Sequence, residues 1–139
     1  MQPAFTAFSQ GDNGAVTDIP HDAGTLSRME AALQRPPLRA GELEVRPSEF
    51  LVLINGEPLH LTVRELELLT ALVERRNRIV TREELYREVW GEPYRKSDRS
   101  VDVYVGKLRQ KLELAVPGRR FIHTHFGFGY RFAAEPDHR

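Results

Sequence analysis

Apolar residues recur at helical spacing (i, i+4, i+7 and i+11) over residues 97–114, at Val101, Val105, Leu108 and Leu112. Because a helix turns by about 100° per residue, these side chains share one face, and the pattern predicts a helix packed on a core. The opposite face is basic and polar except for Val103 and Gly106, and glycine costs about 1 kcal/mol relative to alanine inside a helix. Two interpretations stay open. The helix is either an ordinary surface helix with two neutral exceptions, or a surface that meets thymine methyl groups and lets a phosphate backbone come close.

Shorter patterns predict the elements that precede this helix. Strand-like runs cover residues 42–46, 50–54 and 59–61, and Asn55-Gly56 is a strong hairpin signal between the last two. Capping boxes at residues 62–65 and 81–84 predict helices that end near residues 76 and 90, with residues 79–80 as a short extended link. Gly91 is placed to end the second of these helices.

A terminal hairpin follows the long helix, with residues 121–124 paired to residues 129–132. The order of elements is three strands, helix, linker, helix, loop, helix and hairpin. This order predicts an α+β fold: a winged helix-turn-helix with an N-terminal antiparallel sheet, three helices and a C-terminal β-hairpin wing.

Residues 1–40 are rich in glycine, proline and small polar residues, which predicts a flexible N-terminal tail. Within it, Leu26, Met29 and Leu33 indicate a short amphipathic helix over residues 25–35 that docks a partner or the domain itself. The folded domain is expected over residues 41–132, followed by a C-terminal tail over residues 133–139.

Charge is segregated along the chain although the net charge is zero. Residues 95–139 carry ten Lys and Arg against five Asp and Glu, whereas residues 1–94 carry ten against fifteen. This asymmetry favours a polyanionic partner for the C-terminal half. The absence of cysteine, of a secretory signal pattern and of a long apolar run leads us to expect a soluble cytoplasmic protein.

The sequence shows no nucleophile–base pair, phosphate loop or metal cluster, so we expect neither an enzyme nor a cofactor. His123 and His125 would share a strand face, but no third ligand is evident, and a hydrogen-bonded pair in the wing is favoured over a zinc site. Asp98 and Asp102 stand near Arg95 and Arg99, which favours helix capping and surface ion pairs over acid chemistry.

The ordered motifs at residues 62–69, 81–85, 89–91, 98–112 and 127–132 resemble the DNA-binding effector domain of OmpR/PhoB-type transcriptional regulators. The resemblance covers residues 41–132. It implies a bacterial regulator, two-component-like, that binds double-stranded DNA sequence-specifically. The third helix, about residues 97–114, would enter the major groove, and the wing, residues 121–132, would lie at the minor groove. It also implies head-to-tail pairs on direct repeats. The alternative is an interaction module that contacts RNA polymerase or another regulator.

The resemblance carries site roles over to matching positions. Base contacts fall on Ser100, Val103 and Lys107, and the loop that contacts RNA polymerase includes Glu92, Tyr94, Arg95 and Lys96. DNA backbone contacts fall on Trp90, Arg99, Tyr104, Arg109, Lys111, Thr124 and Tyr130. For Tyr130, a ring at the edge of the core is the alternative. The wing residues are His125, Phe126, Gly127 and Arg131.

The sequence departs from the family pattern in two ways. Phe126 stands where the wing tip usually carries an arginine for the minor groove, so the ring would pack on sugars, contact a neighbouring subunit or contribute nothing. In addition, roughly 40 residues precede the domain, too few for the phospho-accepting receiver that usually does. Asp12, Asp18 and Asp22 are therefore not read as phosphorylation sites, and the chain is either a stand-alone regulator or a fragment.

Overall fold

The computed structural model describes residues 35–136. The described residues divide into two compact units, with the boundary between residues 66 and 67, and the units are described in turn. The apolar positions of the predicted N-terminal helix, Leu26, Met29 and Leu33, lie outside the described residues. Within the described part of the chain, no helix is long and apolar enough to cross a bilayer.

The first unit contains a four-stranded antiparallel sheet in the order β1-β2-β3-β4. Its strands are β1 (Leu38–Ala40), β2 (Leu43–Arg46), β3 (Leu51–Ile54) and β4 (Glu57–Pro58), and a 3-10 turn, Pro47–Glu49, joins β2 to β3. Leu43 pairs with Ile54 and Val45 with Val52, which places four buried side chains on one face of the sheet.

Two features of this sheet correct the sequence predictions. Strand β1 lies in the segment predicted as tail, before residue 41. The strand predicted at residues 59–61 is wrong, because the turn at Asn55 and Gly56, both with positive φ, pairs Glu57 with Ile54. The last strand of this sheet therefore starts earlier and is only two residues long.

Helix α1 (Val63–Glu74) begins in the first unit with the predicted capping box. The Glu65 backbone N–H donates to Thr62 Oγ1 (3.2 Å), and the Thr62 N–H donates to Glu65 Oε1 (2.9 Å). Both groups would otherwise lack a partner at a helix start, so the box fixes where α1 begins. The helix ends two residues before the predicted position.

The second unit contains α2 (Arg82–Trp90), α3 (Ser100–Ala115) and a sheet of β5 (Ile79–Thr81), β6 (Arg119–His125) and β7 (Gly129–Pro136). Thr81 caps α2 by accepting from the Glu84 N–H (3.0 Å), and Gly91 ends it in a left-handed conformation, as predicted. Helix α3 starts three residues later than predicted, where Asp98 Oδ1 accepts from the Ser100 N–H (2.8 Å). The predicted apolar face of α3 is buried.

The predicted link at residues 79–80 is part of strand β5, so the sheet has three antiparallel strands in the order β5-β7-β6. Thr81 pairs with Gly129, and a Cβ at Gly129 would lie 2.0 Å from the carbonyl oxygen of Val80. Only glycine allows this approach, and the pairing ties the wing to the residue that caps α2.

Candidate nucleic-acid interface

Among residues 35–136, one face of α3 is left uncovered. Val103 is 50% exposed, and Gly106, Lys107 and Gln110 are also exposed, while Ser100 is half-buried. A Cβ at Gly106 would meet no atom within 4 Å, so packing inside the protein does not require glycine there. The face is therefore open to a partner outside the described residues.

A row of aromatic rings positions Lys107 on this face. Tyr86 stacks on Trp90 (ring centroids 5.1 Å apart), Trp90 meets the Tyr104 ring edge-on (5.7 Å), and Lys107 Nζ lies 4.7 Å from the centroid of Tyr104. A cation over an aromatic ring is attracted by the ring quadrupole. Helix α2 thereby fixes the ring that supports the lysine, and Trp90 and Tyr104 are both half-buried.

Asp102, in the first turn of α3, joins this helix to both α2 and the wing. Arg82 Nε donates to Asp102 Oδ1 (2.7 Å), and the hydroxyl of Tyr130 donates to the same oxygen. Burial raises the pKa of Asp102, but the bonds from Tyr130 and Arg82 outweigh it, so this pKa lies below its ordinary value. The surface ion pair predicted from the sequence is present, with Asp102 3.8 Å from Arg99. The prediction missed the second role of this carboxylate, which links α3 to α2 and to the wing.

Arg109 makes the second connection between α3 and the wing. Its Nε donates to the carbonyl oxygen of Ile122 (3.1 Å), and its NH2 group donates to Thr124 Oγ1. Burial lowers the pKa of Arg109, yet arginine deprotonates only above about 12, so the guanidinium stays charged. Thr124 and Tyr130 are a cross-strand pair, and α3 therefore contacts the wing on both strands just before its turn.

These contacts change the picture of the predicted backbone-contacting residues. Tyr130 is only 4% exposed, and its hydroxyl already bonds to Asp102, which favours the core-edge alternative. A phosphate contact by Tyr130 stays a prediction, as it does for Arg109, Thr124 and Lys111. Among the charged residues predicted to contact the DNA backbone, Arg99 is the most accessible, with its side chain 81% exposed.

The wing turns at residues 125–128. The Phe128 N–H donates to the His125 carbonyl (2.9 Å), and Gly127 has a φ of 83°. His125 Nε2 accepts from Arg131 Nε (3.2 Å), while His123 Nε2 lies 3.3 Å from the Ala133 carbonyl oxygen, so each histidine bonds elsewhere rather than to the other. Among the described residues, no group of three His, Asp or Glu side chains could hold a metal ion.

The loop between α2 and α3 exposes Glu92, Arg95 and Lys96. Tyr94 is half-buried, with its ring edge-on to Tyr86 at 5.5 Å. Tyr94 therefore anchors the loop, and Glu92, Arg95 and Lys96 are presented to solvent.

Arg82 and Tyr86 are the site residues that sequence reasoning missed. Arg82 opens α2 and bonds a residue 20 positions away, and Tyr86 is the ring on which Trp90 and Tyr94 rest. The Arg82 contact follows no local spacing, so only the structure reveals it, whereas Tyr86 and Trp90 stand four residues apart on α2, a helical spacing that could have indicated their contact.

The geometry agrees with comparisons to known proteins. Residues 56–132 match the family model described as "Transcriptional regulatory protein, C terminal". The chain belongs to this family. It contains the OmpR/PhoB-type winged-helix DNA-binding domain of transcriptional regulators, so the family and fold predicted from the sequence are confirmed.

Two solved members share this fold. The DNA-binding domain of CpxR from E. coli is 30% identical, with a TM-score of 0.66 over 73% of this chain and 99% of that one. The DNA-binding domain of RstA from Klebsiella pneumoniae, solved in complex with the RstA box, is 31% identical, with a TM-score of 0.64 over 71% of this chain and 98% of that one.

The curated relatives are longer than the matched region. The transcriptional regulatory protein YclJ of Bacillus subtilis is 42% identical over 82 residues, which is 58% of this chain and 35% of that protein. The response regulator SaeR of Staphylococcus aureus is 32% identical over 109 residues, 77% of this chain and 48% of that protein. The chain thus spans less than half the length of these relatives.

Proposed function

We propose that this protein regulates transcription in the bacterial cytoplasm by binding specific double-stranded DNA sequences with α3 in the major groove. The observation that carries the proposal is the division of α3 into two faces. Val101, Val105, Leu108 and Leu112 are buried on one face, while Val103 and Lys107 stand exposed on the other. A major groove about 12 Å wide admits one helix, and a helix with one open face fits it.

Three side chains on the open face read bases in this proposal. Lys107 donates to guanine O6 and N7, Val103 packs on a thymine methyl group, and Ser100 donates or accepts. Lysine lacks the planar guanidinium of arginine, so the orientation of its ammonium group depends on neighbouring side chains. Here the Tyr104 ring holds the Lys107 ammonium group in place. The support from relatives is that the RstA domain was solved on its DNA box.

Backbone contacts fix the register of α3 without specifying sequence. Arg99 and Lys111 supply charge at opposite ends of the helix, and Trp90, Tyr104 and Thr124 supply N–H or hydroxyl donors. Arg109 contributes mainly by holding the wing, since its guanidinium already donates to two wing oxygens. We further propose that two copies bind direct repeats head to tail.

A protein-contact role for the loop at residues 92–97 is the second candidate. Its support is the Tyr94–Tyr86 contact, which anchors the loop while Arg95 and Lys96 stay exposed. RNA polymerase is the partner we propose for this loop. Replacing Arg95 and Lys96 with alanine should lower transcription in a reconstituted assay while duplex affinity is unchanged.

Selection from a random-sequence duplex library, followed by binding measurements across a salt series, tests the DNA-binding proposal. The Lys107→Ala variant should lose discrimination at one base pair, because a good base contact contributes about 1–3 kcal/mol of discrimination. Lys111→Ala removes the same charge from the same helix and is the matched control. It should weaken all sequences alike and reduce the salt slope by about one. Failure to enrich any sequence, or an affinity independent of salt, would overturn the proposal.

A further inference from the structure

The wing tip, residues 125–128, carries two exposed aromatic rings. Phe126 is 86% exposed and Phe128 68% exposed, one on each side of Gly127. Water solvates such rings poorly, and exposed apolar groups gathered in one place indicate a contact surface.

The two rings stand on a rigid support. The Phe128 N–H bond to the His125 carbonyl closes the turn, and Gly129 is pressed against the Val80 carbonyl immediately after it. The next pair of residues toward the base of the hairpin, Thr124 and Tyr130, is bonded to α3 through Arg109 and Asp102. The turn that carries the rings is therefore held next to a pair of strand residues bonded to α3.

The wing tip offers an apolar contact rather than a charged one. His125 Nε2 accepts a hydrogen bond from Arg131 Nε (3.2 Å) and is engaged within the wing. Arg131 is occupied by this bond and by Glu135 (3.4 Å). Exposed cations lie elsewhere: Arg99 and Lys107 at and in α3, and Arg120 at the base of the hairpin, where it pairs with Glu135. A polyanion drawn to α3 would therefore meet phenylalanine where the wing reaches it.

We propose that Phe126 enters the DNA minor groove as an apolar wedge that partly separates two stacked base pairs. This inference rests on the proposed DNA-binding function. Apolar side chains placed in the minor groove unstack base steps and kink the duplex. Because pyrimidine–purine steps are the most easily unstacked, Phe126 gives the wing a preference for such steps without any hydrogen bond to a base. Phe128 packs on the sugar wall beside it.

The test uses the full chain and a duplex selected by the wild-type protein from a random-sequence library. 2-Aminopurine is placed at the step beneath the wing, and donor and acceptor dyes are attached to the duplex ends. The variants are Phe126→Ala and Phe126→Arg, and the control is Leu114→Ala, which removes another exposed apolar side chain (78% exposed) at the end of α3. Both positions are exposed, so thermal unfolding should be unchanged in all three variants.

Phe126→Ala should lower affinity about tenfold with an unchanged salt slope, abolish the rise in 2-aminopurine fluorescence and straighten the duplex. Phe126→Arg should increase the salt slope by about one, because it adds a cation near phosphates. Leu114→Ala should change none of these readouts. Selected duplexes should also contain a pyrimidine–purine step at the wing position.

Three results would overturn the inference, and each has a different meaning. If Phe126→Ala binds and bends DNA as the wild type does, the wedge is absent although the DNA-binding proposal stands. If it weakens only binding to two adjacent half-sites, Phe126 contacts a neighbouring subunit instead. If the wild-type protein selects no duplex, the proposed function itself fails.

Discussion

Replacing Asp102 with alanine should loosen both the wing and α2 from α3, because one carboxylate oxygen accepts from Arg82 and from Tyr130. A hydrogen bond to a charged group contributes about 1.5–3 kcal/mol net. The Asp102 and Arg82 side chains are 27% and 29% exposed, so water compensates part of that loss on the arginine side. The Tyr130 hydroxyl, in a residue 4% exposed, has little access to water. We therefore expect Asp102→Ala to lower the free energy of unfolding by about 2–3 kcal/mol.

Tyr130→Phe isolates one of the two bonds. It removes only the donor and leaves the carboxylate paired with Arg82, so we expect a loss of about 1 kcal/mol. In the double variant the two losses should not add, and the difference should give a coupling energy of about 1 kcal/mol. Urea unfolding followed by the fluorescence of Trp90, the only tryptophan in the chain, provides the measurement.

The pH dependence gives a second readout of the same carboxylate. The folded-state pKa of Asp102 lies below its ordinary value of 3.8, so its stabilisation is complete above that value and is lost as pH falls through the lower folded pKa. The stability difference between wild type and Asp102→Ala should therefore be constant near neutral pH and shrink below about pH 4. Additive single losses, or a difference that persists unchanged at low pH, would refute this account.

Two further predictions concern a close backbone approach and a partly buried histidine. Gly129→Ala places a Cβ 2.0 Å from the Val80 oxygen, so a large fall in Tm is expected. Gly106 has open space around it, so Gly106→Ala should stabilise the folded protein by up to about 1 kcal/mol. The same variant should weaken DNA binding if a phosphate backbone approaches Gly106. Equal Tm values for the two variants would contradict the close approach at Gly129. Burial lowers the pKa of His123 from its ordinary 6.5, so stability should be full above pH 6.5 and fall as pH drops through the folded pKa. In urea unfolding from pH 7.5 to pH 5, His123→Gln should remove that slope, and an identical slope in both proteins would assign it to another group.

Elements whose signal lies within a few residues could be predicted from the sequence. The four buried positions of α3 repeat at helical spacing, and Thr62 and Thr81 each accept from the N–H three residues later, although only the box at Thr62 is reciprocal. In these cases the spacing of neighbouring residues determines which side chains are buried and which groups bond at a helix start. The faces of α3 and the starts of α1 and α2 could therefore be predicted.

The missed elements depend on partners far along the chain. Strand β5 is three residues long and becomes a strand only because Ile79 pairs with Arg131, some fifty residues later. The bonds of Asp102 to Arg82 and Tyr130 span 20 and 28 residues. No periodicity marks such contacts, so spacing suggested a surface ion pair where the fold contains an internal link.

The internal roles of Arg109 and Tyr130 alter how the interface can work. Both were expected to neutralise or bind phosphate, yet each has its polar atoms engaged in holding the wing. Among the described residues of α3, Arg99 and Lys107 then supply the accessible charge, while Val103, Phe126 and Phe128 supply exposed apolar surface. Each phosphate neutralised adds about 0.9 to the salt slope, so Arg99 and Lys107 together should contribute only about two to that slope. Discrimination would then come from the Lys107 base contact together with the fit of apolar side chains to methyl groups and to deformable base steps.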